Sequence, residues 1–564
     1  MTLVSETLNA DDVSSCDPIT AAIQRTMAYL ERERHPNGTW RGALSSSALA
    51  TAMALLCLRR GVAATERNLE RAAIWLATTQ RVDGGWGDAE TDDSTINSTA
   101  LAVAALVDYD RYRFARHIDH GKRWLASVGG FATINDPQKA SLSGPCRTMW
   151  AEVGLIPWES IRRLPLEVVL LPKQIRRTVS TTFPAFLSLS ILHDRHLRYI
   201  LPRRVVRRLI RHWAGHWLRR AQPSHGGFEE SAFLTALVGL CLRGSTEHTV
   251  ALRCEQYVLA SQREDGSWPI DRDLENFDSA LTVVARRACG DRLESAQDKA
   301  LQRWFYDSQF QEECFATGAP PGGWAWARPG GWPDLDDSSV ALRALLLLGI
   351  PPKDPIVERG IEFLRAMQNR DGSWATFVKN SSMPFDRPCP YVTGHVLVAL
   401  AEAGFTADDP TVSRAVRFLQ RSQHRDGSFD AIWFRNATSG TASVVEALAR
   451  LGLQDTATMR GALQWLLAAQ DVSGGWGDGL RSLPTVEETS WALIALLSVN
   501  RRTPSLDIAC ERGVSWLLEA QKPDGTWRCT PLGLYFSTLW YSDSFLPVAL
   551  PLQALGMFQM MRGS

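Results

Sequence analysis

The chain has 564 residues, 45% of them hydrophobic, and its 61 Lys plus Arg balance its 61 Asp plus Glu to a formal charge of zero. That is enough apolar material for large buried cores, and the charge balance supplies no global field to draw in nucleic acid, so we expect no nucleic-acid partner. The ten cysteines, among them Cys57, Cys241, Cys289 and Cys510, are scattered without a CxxC pair through apolar stretches, as reduced thiols of a cytosolic protein would be. In chain order, the opening MTLVSETLNADDVSSC is acidic and lacks the basic and apolar regions of a secretion signal. No apolar run reaches the roughly eighteen residues of a membrane-spanning helix.

From residue 71 a unit recurs: RAAIWLATTQRVDGGW (71–86), RCEQYVLASQREDGSW (253–268), RGIEFLRAMQNRDGSW (359–374), RAVRFLQRSQHRDGSF (414–429), RGALQWLLAAQDVSGGW (460–476) and RGVSWLLEAQKPDGTW (512–527). Weaker copies stand at 32–40, 221–228 and 318–326. Apolar residues three and four apart before each Gln predict an amphipathic helix, ended by a Gly turn. A second apolar helix follows, such as STALAVAAL (98–106) or SVVEALARLGL (443–453). Helix pairs repeating at roughly fifty residues must stack to bury their faces, so the chain is all-helical, as a closed ring or an open solenoid. The Gln amide is placed to tie neighbouring helix ends together. Trp40, Trp86, Trp268, Trp374, Trp476 and Trp527 are then core packing.

Two segments stand outside the repeat. RRLPLEVVLLPKQIRRTVSTTFPAFLSLSIL (162–192) mixes apolar clusters with Arg and Lys, as an interfacial segment or a buried helix pair would. PDLDDSS (333–339) places three carboxylates in four positions before the apolar run VALRALLLL. Pro and Asp there begin an ordinary helix, because Asp satisfies free N–H groups and the helix dipole.

Taken with GLIPWESIRRLPLEVVLLP (154–172), VTGHVLVAL (392–400) and DGSFDAIWFRNATSGTASVVEAL (426–448), the Q-x-x-x-G-x-W repeat and the DLDD motif resemble the squalene-hopene cyclase family of class II terpene cyclases, over nearly the whole chain. The resemblance implies two α/α barrels enclosing an apolar cavity, one formed by residues 1–30 plus 218–564 and carrying the acidic motif, the other inserted at 31–217. It implies protonation-initiated cyclisation of a linear polyprene such as squalene. It also implies a peripheral, monotopic seat on the inner face of the cell membrane, and it leaves a homodimer open.

Protonating an alkene needs a strong acid held away from water. An exposed Asp, with a pKa of about 3.9, is ionised at neutral pH, but clustered buried carboxyls cannot all ionise. By similarity Asp336 is the donor, Asp334 and Asp337 support it, and His395 bonds its carboxyl. Aromatic faces then stabilise the travelling cation without trapping it, by about 2 kcal/mol each when desolvated. Trp158, Trp326, Phe377 and Trp433 match cavity aromatics of the family and Phe233 is a looser match. Tyr535, Phe536, Trp540 and Tyr541 fall in its aromatic C-terminal region. No cofactor is implied.

Departures from the family pattern are Tyr391 where an Asp is usual one turn before His395, Ser439 where hopene-forming members carry Tyr, Ser338 for Thr, and Arg435 two residues after Trp433. Arg435, Lys379 and Arg387 suggest a rival reading in which they clamp a prenyl diphosphate such as geranylgeranyl diphosphate, with Mg²⁺. A protein prenyltransferase β subunit shares the helical barrel but needs an Asp, Cys and His zinc site, which is not evident. A thioester-type binding domain finds only Cys254-Glu255-Gln256, without the expected Gly. A non-catalytic α/α scaffold is the remaining alternative.

Overall fold

Two kinds of helix alternate along the chain, and their composition decides where each lies. One kind is amphipathic, with a polar face for solvent. The other is apolar or small all round, as ALATAMALLCL and AFLTALVGLCL are, and can be stable only when packed on every side. The computed structural model describes residues 17–130, 142–172, 182–196, 201–328, 330–383, 385–435, 437–535 and 539–563, without the side chains of 201–204.

The helices of the first half are α1 (Pro18–Glu33), α2 (Ala48–Arg59), α3 (Glu66–Thr78), α4 (Ile96–Asp110), α5 (Ala115–Ser127), α6 (Ser143–Glu152), α7 (Phe183–Arg195), α8 (Leu201–Ala221), α9 (Ala232–Leu242) and α10 (His248–Ala260). Helices α6, α4, α2, α9 and α7 pack side by side in an arc, and every residue of α9 is buried. A hydrogen bond between Thr148 Oγ1 and His193 Nε2, 2.9 Å, links the two ends of that arc. Its core runs from Leu44 to Ile270, so α9 and α10 belong to it, and it takes in Tyr535, Leu539 and Tyr541 from the far end of the chain.

The second half contributes α11 (Glu275–Ala288), α12 (Ala296–Ser308), α13 (Leu335–Leu347), α14 (Pro355–Met367), α15 (Pro390–Glu402), α16 (Pro410–Ser422), α17 (Thr438–Arg450), α18 (Ala457–Ala469), α19 (Val486–Leu497), α20 (Pro504–Ala520), strands β1 (Gly533–Tyr535) and β2 (Leu539–Tyr541), and α21 (Leu546–Gly563). The odd-numbered helices from α11 to α21 form a closed ring, each packing on the next and α21 returning to α11. The amphipathic even-numbered helices lie outside it. The N-terminal helix α1 packs on α20 and α21 and so completes the outer layer.

The repeated turn is a fixed hydrogen-bonded device. In each full copy ending in Trp the indole N–H donates to a carbonyl ten residues back, as Trp374 does to Leu364 at 2.7 Å and Trp476 to Leu466 at 2.7 Å. The Gln amide donates both to the turn's own Gly and to a carbonyl at the start of the next outer helix: Gln368 to Gly372 (2.9 Å) and Thr411 (2.8 Å), Gln470 to Gly474 (2.8 Å) and Ala509 (2.9 Å). Gly372 has φ +96°, and a Cβ there would lie 2.4 Å from the Arg414 carbonyl. The device stitches outer helix to outer helix.

The apolar residues expected at an interface in 162–192 mostly face inward: Leu166, Val168, Val169, Phe183 and Leu187 are buried, whereas Leu170 and Leu171 stay exposed. Residues 173–181 lie outside the described part. The exposed apolar surface is instead on the neighbouring helix α8, at Val205, Val206, Leu209 and Trp213.

Candidate active site

The acidic motif is both a helix start and a chemical cluster. Asp334 is the N-cap of α13 and accepts the Asp337 N–H at 2.8 Å, while Asp336 and Asp337 occupy the first turn, where the helix dipole favours negative charge. Ser338 Oγ accepts the Trp324 N–H at 2.8 Å and the Leu335 N–H donates to the Thr376 carbonyl at 3.0 Å, so two loops are pinned to the helix start. All three carboxyls are buried. Burial, reinforced by Asp337, pushes Asp334 well above its ordinary value. Burial pushes Asp337 up to about 7, against the hydrogen bond with Asp334.

His395 reaches this cluster from α15, with Nδ1 2.6 Å from Asp336 Oδ1. The Tyr391 ring lies against the imidazole, centroids 4.3 Å apart, and its buried hydroxyl has no hydrogen-bond partner among the described residues. Behind the pair, inside the ring of helices, a second cavity of about 490 Å³ is lined by His395, Tyr391, Arg343, Glu446 and Gln553. Arg343 bridges Glu402 at 2.9 Å and Glu446 at 3.0 Å. Burial alone would raise Glu446, but Arg343 and Arg450 outweigh it, with His395 adding, and hold the carboxyl below its ordinary value.

Beside Asp336 lies a largely apolar cavity, where loops leading into the inner helices of both units meet. Phe377 is its aromatic hub. Trp326, Trp332 and Trp433 stand nearly edge-on to it, centroids 6.0, 5.7 and 5.6 Å away, the geometry aromatic quadrupoles prefer. The Trp433 N–H is held by Thr376 Oγ1 at 2.7 Å. The loop carrying Phe377 is itself organised by Asp386, whose buried carboxyl accepts the N–H groups of Thr376 and Phe377 at 2.8 Å and Val378 at 3.1 Å. Trp332 and Asp386 escaped the sequence reading. Trp332 stands directly beside the acidic motif in GGWPD, a signal that could have found it; nothing in a run of loop residues marks Asp386.

The C-terminal aromatics divide by strand geometry. In the β1–β2 hairpin Gly533 pairs with Tyr541 and Tyr535 with Leu539, while Leu534 pairs with Trp540. Side chains alternate faces along a strand, so Tyr535 and Tyr541 line the cavity and Trp540 turns away, with the Arg435 guanidinium 5.0 Å above its ring. A Cβ on Gly533 would lie 2.4 Å from the Tyr541 ring, which fixes the glycine. Phe536 lies outside the described residues. The cavity lining also includes Glu229 and Asp271, two acids not singled out from the sequence. Glu229 and Glu230 both adopt φ of +55°, a strain of roughly 1–3 kcal/mol per residue.

Other residues named from the sequence sit apart from this cavity's lining. Trp158 stacks on His196, centroids 3.7 Å apart, and Phe233 is buried within α9. Lys379 Nζ donates to the Ala366 carbonyl at 2.6 Å. Arg387 is half exposed, 3.8 Å from Asp430. Arg435 donates to the Pro531 carbonyl at 3.1 Å. Ser439 is buried and donates to the Arg435 carbonyl at 2.8 Å.

This arrangement has relatives over most of the chain. Residues 23–186 match the squalene-hopene cyclase N-terminal domain and residues 275–558 the C-terminal domain. The chain belongs to the squalene-hopene cyclase family. It is 26% identical to the squalene–hopene cyclase of Alicyclobacillus acidocaldarius, covering 92% of this chain and 94% of that one. It is also 26% identical to a probable squalene–hopene cyclase of Sinorhizobium fredii, covering 97% of each. Among solved structures, ent-copalyl diphosphate synthase from Streptomyces platensis superposes with a TM-score of 0.64 at 19% identity, covering 96% of this chain and 99% of that one, which shows the shared α/α-barrel fold. The protein is thus a terpene cyclase of the class that starts polyprene cyclisation by protonation.

Proposed function

We propose that this cyclase takes squalene into the cavity between its two units and that Asp336 protonates a terminal alkene. The observation that carries the reading is the 2.6 Å contact between Asp336 and His395 at the wall of a largely apolar cavity whose lining includes Trp326, Trp332, Phe377 and Trp433. At that distance the imidazole hydrogen-bonds the Asp336 carboxyl and holds it in place at the cavity wall. Asp334 and Asp337, pushed up by burial, limit the charge the cluster carries at once. The cation then meets aromatic faces rather than nucleophiles. The cavity behind His395, lined by Glu446, Arg343 and Tyr391, supports return of the proton from that side.

The proton source is the protein's own carboxyl, so this chemistry asks for no cofactor; Mg²⁺ would enter only with a diphosphate substrate. Among the described residues no helix is long and apolar enough to cross a membrane. Attachment through α8 to a membrane surface, which on the cytoplasmic reading is the inner face of the cell membrane, is supported by its exposed Val205, Val206, Leu209 and Trp213 beside a run of arginines. Purified protein incubated separately with squalene and geranylgeranyl diphosphate, and analysed by gas chromatography with mass spectrometry, tests the substrate. Cyclic triterpene that disappears in Asp336→Asn is the expected result. Cyclised diphosphate with no triterpene would overturn it.

A further inference from the structure

A reaction begun by a proton must end by giving one up: the last cation loses a C–H proton, or adds water that then loses one. Asp336 cannot conveniently collect it, because ring formation carries the charge away from the initiating end. The lining of the same cavity includes Glu229 and Asp271, each 4% exposed. Glu229 Oε1 and Asp271 Oδ1 have no hydrogen-bond partner among the described residues.

The adjacent residue shows what a purely structural acid looks like here. Glu230 accepts from Tyr257 at 3.1 Å and pairs with His225 at 2.9 Å and Arg272 at 3.2 Å, which hold it below its ordinary value although burial opposes them. Arg272 spends its remaining donors on Asp273, 2.8 Å, and on the Arg328 carbonyl. Glu229 and Asp271, one residue to either side of this network, are left out of it. Burial raises both well above their ordinary values, with Asp271 adding to Glu229, so the pair must first release a proton through an open pocket before it accepts one, and once ionised it is a stronger base than a surface carboxylate. A second buried group awaits a polar partner in the same cavity: the Trp326 indole N–H, in a side chain 8% exposed, is unsatisfied.

The hairpin tyrosines give the pair its place. Tyr541 lies within electrostatic reach of Asp336, Asp337 and Asp271, and Tyr535 within reach of Asp271 and Glu229. Both tyrosines line the same cavity as the two carboxyls and the acidic motif. Glu229 and Trp332 also line a second, open pocket whose walls include Phe310, Cys314 and Phe315.

We infer that the Glu229–Asp271 carboxyl pair accepts the proton released when the cyclised cation is quenched. Either a C–H bond beside the cation breaks and its electron pair becomes the new alkene, or the oxygen of a water forms the C–O bond and gives up one hydrogen. In both cases a single proton goes to the pair and leaves through the open pocket, matching the one delivered by Asp336. The inference rests on the polyprene-cyclase reading of the cavity.

The test has two arms on the full-length protein. With squalene, Glu229→Gln and Asp271→Asn are expected to go on consuming substrate while the main wild-type product loses its dominance to incompletely cyclised or isomeric products. Asp336→Asn makes none. An unchanged product spectrum in both variants overturns the inference. The second arm needs no turnover: calorimetric binding of N,N-dimethyldodecylamine, a chain-borne cation, is expected to weaken about tenfold in each pair variant and by less than about threefold in Asp336→Asn. Equal binding by the wild type and Glu229→Gln, or no binding by the wild type, overturns it. Wild type that ignores squalene yet binds the amine through Glu229 would sink the substrate reading and leave the pair standing. Unfolding midpoints of each variant separate misfolding from lost chemistry.

Discussion

Asp334 holds two roles that the sequence presents as rivals: it caps α13 through the Asp337 N–H and it is one of the three buried carboxyls of the DLDD motif. The same hydrogen bond that satisfies a helix end also fixes the carboxyl beside Asp336. Asp386 does comparable work for the aromatic wall, because its two oxygens gather three successive N–H groups around Phe377. Asp386→Ala strands those donors at about 1–3 kcal/mol apiece and frees the hub ring. We expect turnover to fall at least about tenfold and products to diversify. Asp386→Asn, which keeps the oxygen shared by Thr376 and Phe377, should fall between it and the wild type. Single-turnover assays with product analysis check this, and variants that lose stability but keep the wild-type product spectrum would refute it. The acids of DLDD and the partner His395 were legible because their spacing is short or their motif distinctive. Asp386, Glu229 and Asp271 were not, since a carboxyl's meaning in a loop depends on which N–H groups the folded loop turns toward it.

Elements were read well where periodicity is long. The amphipathic helix before each Gln, the turn and the tying role of the amide all appear in the structure. A three-residue strand carries no readable period, so four C-terminal aromatics looked equivalent when the hairpin sends Tyr535 and Tyr541 one way and Trp540 the other. Helix α8 was passed over for the opposite reason: its many arginines resemble an ordinary solvated face. Val205, Leu209 and Trp213 nevertheless lie four residues apart on one side, Trp213 62% exposed. If that side rests in a lipid headgroup layer, Leu209→Glu or Trp213→Glu should lower partition onto phosphatidylglycerol vesicles by about tenfold, with weaker binding of all forms to phosphatidylcholine. Cosedimentation measures it, and variants that partition like the wild type would show α8 to be a solvent-facing helix.

At the scale of the molecule, the chain closes on itself through α1, which lies before the first unit in sequence but packs on α20 and α21 of the second. Gln521 donates to the Ala22 carbonyl at 3.1 Å and Thr26 Oγ1 to Gly525 at 2.8 Å, so the last full repeat is stitched to the first helix. Just after α1, Arg34 meets a buried node: Asp298 of α12 receives Arg34 at 2.6 Å and Arg286 of α11 at 2.7 Å on one oxygen, and Ser295 Oγ at 2.7 Å on the other. Burial alone would raise this carboxyl, but Arg286, Ser295 and Arg34 outweigh it and hold it well below the usual carboxylate range. A depressed folded pKa contributes stability that is fully present above the unfolded value of about 3.9 and drains away as pH falls toward the folded value. Asp298→Asn leaves two buried guanidinium groups short of their anion, a loss of about 3 kcal/mol at neutral pH. Urea unfolding followed across pH should therefore show a stability gap between wild type and variant that is constant from pH 8 to 5 and narrows below about pH 4. A gap independent of pH would mean that Asp298 acts through packing and capping rather than through the charge that joins α1 to the ring.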